Sequence, residues 1–308
     1  MASPFVAVAG ASGALGRLVA MELAKRGVAV KALVRPNTDP SRTENLRSAG
    51  ISIAPVDMSE VPALTRELTG ATSVISTLQG LKDVIHTAQG NLVDASVAAK
   101  VSRFIPSDFS LDFTKTKPGS NRNLDLRRGF HARLETSGIA WTSVLNGAFM
   151  DLMVGDSPMV NRKSRKVAYI GQPTQLLDFT TMADTAAYTA AVAADPNPAP
   201  KFLRIASDTV TVQDIADAQT NVEGAQYKPS WMGPVAFMEF MIRALRLSGG
   251  ENETFPVWQR LQYMTNMFSG AGKLEPLDNG RYPELTWTKV EDFFRQHTDK
   301  TPKEESPI

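Results

Sequence analysis

Seven residues near the start of the chain, Gly10-Ala11-Ser12-Gly13-Ala14-Leu15-Gly16, have the glycine spacing of a turn that holds phosphate. The apolar run 5–9 before them reads as a strand, and 14–25 after them as an amphipathic helix. In that setting Gly10 permits the tight turn, Gly13 lets backbone approach a pyrophosphate, and Gly16 lets the helix pack on the strand. The free N–H groups at the helix start then face the anion. The bland alternative is a strand-to-helix turn that binds nothing; the flanking elements favour a dinucleotide. An FAD fold would need a longer segment for the flavin than this chain shows. The second strand, 28–34, ends at Arg35, and no acid occurs between Glu22 and Asp39. An NAD site usually places an acid here for the ribose 2′-hydroxyl. Arg35, with Arg42 in support, instead suits the 2′-phosphate of NADP(H).

Bond-making groups are sparse. The chain has no cysteine, which removes disulfides, thiolate catalysis and cysteine zinc sites. His86, His131 and His297 are too scattered for an HExxH metal site. None of Tyr169, Tyr188, Tyr227, Tyr263 and Tyr282 has a lysine four residues on, so the Tyr-x-x-x-Lys pair of ordinary short-chain dehydrogenases is missing. The 33 basic and 32 acidic side chains leave a formal charge of +1 without a basic block, which argues against nucleic acid as a partner. The first residues lack a basic n-region, and no apolar run is long enough to span a bilayer, so a cytoplasmic protein without a membrane partner is expected.

Strands and helices alternate through the first half. Strands are expected at 5–9, 28–34, 51–56, 73–77, 103–105 and 140–145, and helices at 14–25, 38–48, 61–68, 82–99 and 123–136. Such βαβ units imply an α/β fold with a doubly wound parallel sheet. After Phe149 the rhythm breaks. The stretch 157–178 is polar and irregular, with a short strand near 167–170, and an alanine-rich helix spans 182–194. A strand at 202–206 is a candidate to return to the sheet. Helices follow at 212–222, 235–247 and 257–268, and the tail 300–308 is expected to fray. The division expected is a Rossmann domain over 1–155 and a smaller substrate domain over 156–308.

Beyond the glycine turn, Leu33-Val34-Arg35-Pro36, Val74-Ile75-Ser76-Thr77, Gln89-Gly90-Asn91-Leu92-Val93-Asp94-Ala95, Arg103-Phe104-Ile105-Pro106-Ser107-Asp108-Phe109 and Asn279-Gly280-Arg281-Tyr282-Pro283-Glu284 run the length of the chain. Together they resemble the NmrA-like, isoflavone-reductase-like branch of the atypical short-chain dehydrogenases. The run 103–109 is the most specific of them. The resemblance implies a Rossmann domain that binds NADPH and a smaller C-terminal substrate domain. The best-known members reduce aromatic plant metabolites, and some relatives are redox-sensing regulators. Two functions follow: an NADPH-dependent reductase of a small apolar, possibly aromatic, carbonyl or enone, or a non-catalytic NADP(H) sensor that signals to a protein partner.

The isoflavone-reductase-like members carry a lysine early in the helix before a Gly-Ile-x-x-Thr strand. Counted back from Gly138-Ile139-Ala140-Trp141-Thr142, that position is Arg127, with Arg128 beside it. Arginine keeps the charge but is a poor proton donor. His131, one helical turn on, is the nearby group able to exchange a proton near neutrality. Arg127 and His131 are therefore the catalytic candidates, against the alternative of a surface histidine. In the family the turn with Asn146 and Phe149 lies near the nicotinamide. Pro106, Ser107 and Phe109 end the previous strand at the same sheet edge, with Asp108 as a brace, and Ser76, Thr77, Leu78 and Gln79 could line the ribose or pyrophosphate. Phe237, Met238, Phe240, Met241, Trp258, Tyr263, Met264, Met267 and Phe268 could wall an apolar pocket, although core packing accounts for most of them.

Overall fold

A computed structural model describes residues 4–155 and 157–298; the expected fraying of 300–308 lies outside them. Five parallel strands, β1 (Phe5–Ala9), β2 (Val30–Val34), β3 (Ser52–Pro55), β4 (Ala71–Ser76) and β5 (Arg103–Ile105), pair in the order β3-β2-β1-β4-β5. The β1 sequence FVAVA is buried throughout, as a strand covered on both faces must be. Val6 and Val8 point to one side, where helices α1 (Ala14–Lys25), α2 (Glu44–Ser48) and α6 (Met182–Ala194) pack. Ala7 and Ala9 point to the other, toward α3 (Val61–Leu68), α4 (Gln89–Ala98) and α5 (Arg122–Ser137). This is the doubly wound α/β fold expected.

The sheet continues past β5. Phe104 N–H donates to Ala140 C=O at 2.8 Å and Thr142 N–H donates to Phe104 C=O at 3.0 Å. That bridge brings in β6 (Ser143–Leu145), which pairs in parallel with β11 (Phe202–Arg204). The connection from β6 to β11 passes through α6, whose carboxyl end meets the start of β4 and β5. Ser73 Oγ donates to Ala193 C=O at 2.9 Å, and Arg103 donates to the carbonyls of Val192, Asp195 and Asn197. A cation on the last carbonyls of a helix satisfies groups that the helix leaves unpaired.

The remaining elements form a second lobe. A three-stranded sheet contains β7 (Ala148–Phe149), β10 (Leu177–Thr180) and β12 (Asp208–Val210), and another contains β8 (Val160–Asn161), β9 (Lys166–Tyr169) and β13 (Lys228–Trp231). Helices α7 (Val212–Glu223), α8 (Val235–Arg246), α9 (Val257–Phe268) and α10 (Val290–His297) complete it. Its apolar core reaches Leu124 on α5 and Leu145 on β6. Two expected helices differ in detail: 38–48 is a 3-10 turn (Pro40–Thr43) followed by α2, and 82–99 opens with a π-helical turn (Asp83–Ala88) before α4. No helix among the described residues is long and apolar enough to cross a membrane.

The Asn279-Gly280-Arg281-Tyr282 segment is a clasp. Asn279 Nδ2 donates to Ala206 C=O at 2.8 Å and its Oδ1 accepts from Ala206 N–H at 3.2 Å. Arg281 and Tyr282 both donate to the Asp195 carboxylate, at 3.1 and 2.9 Å. The clasp thus ties the stretch between α9 and α10 to the ends of α6 and β11.

Candidate active site

The glycine turn sits between β1 and α1. Gly10 has φ +80°, a conformation that favours glycine, and Gly13 N–H donates to its carbonyl at 2.9 Å. A Cβ on Gly16 would press into the Gly10 carbonyl and lie 2.5 Å from Thr77 Oγ1. A Cβ on Gly13 would meet only the Gly10 oxygen, at 3.2 Å, and would otherwise project outward. Gly10 and Gly16 are therefore required by the turn itself, whereas the turn's own packing constrains Gly13 less. As N-cap, Gly13 offers α1 no side-chain oxygen. The N–H groups of Ala14, Leu15 and Gly16 open the helix and have no partner inside it. Free donors at a helix start are suited to an anion such as phosphate. Ser12, half-buried, stands at the turn's crest.

Arg35 is exposed at the end of β2. Arg42 reaches back from the 3-10 turn, its Nη2 donating to the Ser12 carbonyl at 3.2 Å. The first acid after β2, Asp39, is spent on capping that same turn. It accepts from Ser41 N–H at 2.9 Å and from Ser41 Oγ at 2.8 Å. These bonds hold its carboxyl below the usual carboxylate range. Arg42 thus borders the glycine turn, and Arg35 follows the end of β2, where a ribose-binding acid would stand.

The carboxyl ends of β4, β5 and β6 supply the rest of the edge. Ser76 is buried, and its hydroxyl has no partner among the described residues. Thr77 braces the glycine turn, its Oγ1 donating to Ala9 C=O at 2.8 Å. Leu78 is half-buried and Gln79 exposed. After β5, Pro106, Ser107, Asp108 and Phe109 are all buried. Ser107 N–H donates to Gln89 Oε1 at 2.9 Å, which gives the Gln89 motif its role. After β6, Asn146 is fully buried, yet neither carboxamide atom has a partner among the described residues. Its backbone is held from both sides, by Ser110 C=O at 3.1 Å and Thr180 Oγ1 at 2.7 Å. Phe149, half-buried, packs on the α1 face.

Arg127 and His131 occupy one stripe of α5 but engage different partners. Arg127 Nη1 donates to Asn123 C=O at 3.0 Å, and its buried Nε has no partner among the described residues. The His131 ring stacks on Phe202, with centroids 5.3 Å apart, and meets the edges of Phe113 and Trp141. Its Nε2 lies 2.6 Å from Asp108 Oδ2, which also accepts from Ser143 Oγ at 2.6 Å. Asp108 is therefore a brace between α5, β6 and the loop after β5. Arg128 turns elsewhere, donating to the carbonyls of Phe113 and Thr116. Asp151 carried no sequence signal: it accepts from Met182 N–H, at the start of α6, at 2.8 Å, and burial raises its carboxyl pKa. Tyr263 of α9, which the sequence marked only as a candidate pocket wall, adjoins the start of α5.

The sequence profile of the NmrA-like family matches residues 3–294. The isoflavone reductase homolog IRL of Zea mays is 31% identical over 65% of this chain and 67% of its own length. The oxidoreductase swnN of Metarhizium robertsii is 24% identical over 94% of this chain and 96% of its own. Among solved structures, the binary complex of leucoanthocyanidin reductase with NADPH from Vitis vinifera superposes with a TM-score of 0.79 at 19% identity, covering 96% of this chain and 99% of that one. With its glycine turn, its braced Pro-Ser-Asp-Phe loop and its clasp all built from the residues that suggested the kinship, the chain belongs to the NmrA-like family, in its isoflavone-reductase-like branch.

Proposed function

We propose that the chain is an NADPH-dependent reductase of a small apolar, aromatic carbonyl or enone. The observation that carries the reading is the phosphate turn with Arg42 tied to its Ser12 carbonyl, Arg35 beside it and Asp39 turned away to cap. The residues fit the cofactor. Gly13 leaves space for a pyrophosphate, the opening of α1 supplies its donors, and Arg35 and Arg42 suit a 2′-phosphate. Ser76 and Asn146, with buried polar atoms that have no partner among the described residues, would hold the nicotinamide end, flanked by Leu78, Pro106, Ser107 and Phe149. The names of the relatives, an isoflavone reductase homolog and a leucoanthocyanidin reductase, support reduction of aromatic compounds.

The dihydronicotinamide, when bound, supplies a hydride to the substrate carbon. Arg127 offers fixed positive charge to the substrate oxygen, which gains negative charge as the carbon is reduced. We assign His131 to holding Asp108, and through it the Pro106–Ser107 wall. In this reading 1–155 bind the cofactor and 156–308 supply the substrate lobe, with α6 and β11 returning to the first. Calorimetric titration with NADPH and NADH tests the reading. NADPH should bind more tightly by at least about tenfold, as expected when a charge-assisted phosphate contact is gained. Tighter NADH binding would overturn it.

A further inference from the structure

The proposed reduction needs a proton for the substrate oxygen, and Arg127 cannot give one, because a guanidinium stays protonated in proteins. Helix α9 brings a phenol to the same helix, α5. It is fastened along the start of α5. Gln262 Oε1 accepts from Arg122 N–H at 3.1 Å, Gln259 Nε2 donates to Asn121 Oδ1 at 2.7 Å, and Asn266 Nδ2 donates to Ser120 Oγ at 3.3 Å. The approach to α9 is held as well: Asn123 Nδ2 donates to Thr254 C=O at 2.9 Å, and Arg122 donates to the carbonyls of Glu251, Glu253 and Thr254. Tyr263 lies between Gln262 and Asn266 on this fastened side. Its ring is half-buried and 6.3 Å from that of Phe255. Burial pushes its phenol pKa up, against smaller downward pulls from the Arg127 cation, the Asn123 side chain and Arg122. The phenol is thus protonated at neutral pH, and it feels the charge of Arg127, whose buried Nε has no partner among the described residues.

We infer that the Tyr263 hydroxyl is the proton donor of the reductase reaction and that Arg127 stabilises the phenolate left behind. The inference rests on the reductase reading above. As the substrate carbon accepts the hydride with its electron pair, the carbonyl π pair moves to oxygen. That oxygen takes the Tyr263 proton, the phenolic O–H bond breaks, and the phenolate regains a proton from water after the product leaves. The product is an alcohol, or an enol where the acceptor is an enone.

The test uses the full chain and Tyr263→Phe, with 9,10-phenanthrenequinone and 4-nitrobenzaldehyde as probes. Tyr263→Phe should keep its melting temperature and NADPH affinity. Its kcat should fall about a hundredfold, within the range for loss of a general acid. The wild-type rate should be level between pH 6 and 9, and the residual rate of the variant should decline as pH rises. A kcat within about threefold of wild type would overturn the inference, since no transition-state interaction would have been lost. A second readout needs neither turnover nor cofactor. The near-ultraviolet titration of the protein, minus that of Tyr263→Phe, gives the Tyr263 ionisation. Arg127→Met should move it upward. An unmoved titration overturns the inference alone, even if neither probe is reduced. Failure of the unmodified protein to bind NADPH overturns the reductase reading and the inference together.

Discussion

A methyl group at Gly16 would collide with the backbone of its own turn, whereas one at Gly13 would meet a single carbonyl oxygen and point outward. The two substitutions should therefore fail differently. Gly16→Ala should lower stability by about 1–3 kcal/mol, the usual cost of overpacking, read as an earlier denaturant midpoint. Gly13→Val should melt as wild type does and lose NADPH binding; a folded Gly13→Val protein with unchanged affinity would remove the turn from the site. Arg35→Asp should weaken NADPH by about 1.5–3 kcal/mol while sparing NADH, measured by paired calorimetric titrations. His131 belongs to another class. Its ring is caged by Phe113, Trp141 and Phe202 and bonded to the buried Asp108. His131→Ala would leave a cavity and a buried carboxylate short of a partner. A loss of about 3 kcal/mol is expected, checked by urea unfolding. At this scale the sequence showed which residue types stood near the sheet edge, but not which neighbours they took. Arg127 and His131 share a helical stripe, yet one side chain turns to Asn123 and the other to Asp108. Tyr263 read as pocket wall because a helix's contacts with another helix are not written in its own spacing.

Elements were legible where burial was continuous. FVAVA is buried on both faces and reads as a central strand, and the run Arg103–Ile105 was found with its bounds. The strands β7, β10, β12 and β13 were not. They have two to four residues each, too few to show a period, and pairing partners far away in sequence define them. The π-helical turn ahead of α4 has no compositional signature either. The clasp illustrates what a motif can mean once its elements are placed: Asn279, Arg281 and Tyr282 fasten α6 and β11. Its charged centre, Asp195, has a pKa lowered to about 2, first by the backbone N–H of Asn197 and further by Tyr282, Asn197 and Arg281. A carboxylate with a depressed folded pKa adds stability above its unfolded pKa and loses it as pH falls through the folded one. The contribution, about 1–2 kcal/mol after solvent screening, should be complete at pH 5 and fade between pH 4 and pH 2. Asp195→Asn should flatten that part of the stability–pH curve; a parallel curve would show that the clasp does not depend on the charge.

At the scale of the molecule, the second lobe is not appended to the first. Chain leaves the sheet at the end of β6, builds β7 to β10, returns as α6 and β11, and leaves again for β12 and α7 to α9 before the clasp brings Asn279 back to Ala206 and the chain runs on into α10. Such threading forbids independent melting. If the lobe came apart first, α6 would lose the Asp151 contact at its first turn, and β11 would lose both the clasp and the bond from Arg204 N–H to Asp278. The edge pair β6–β11 would then have little to hold it. One calorimetric transition is expected, with NADPH raising its midpoint as a ligand of the native state does. Cooperativity of this kind also gives a route for communication. Whatever steadies the β6 end at Asn146 steadies, through the covalent crossings after β6, before α6 and after β11, the lobe that would cover a substrate, so occupancy at the nucleotide edge should slow amide exchange in β10 and α9.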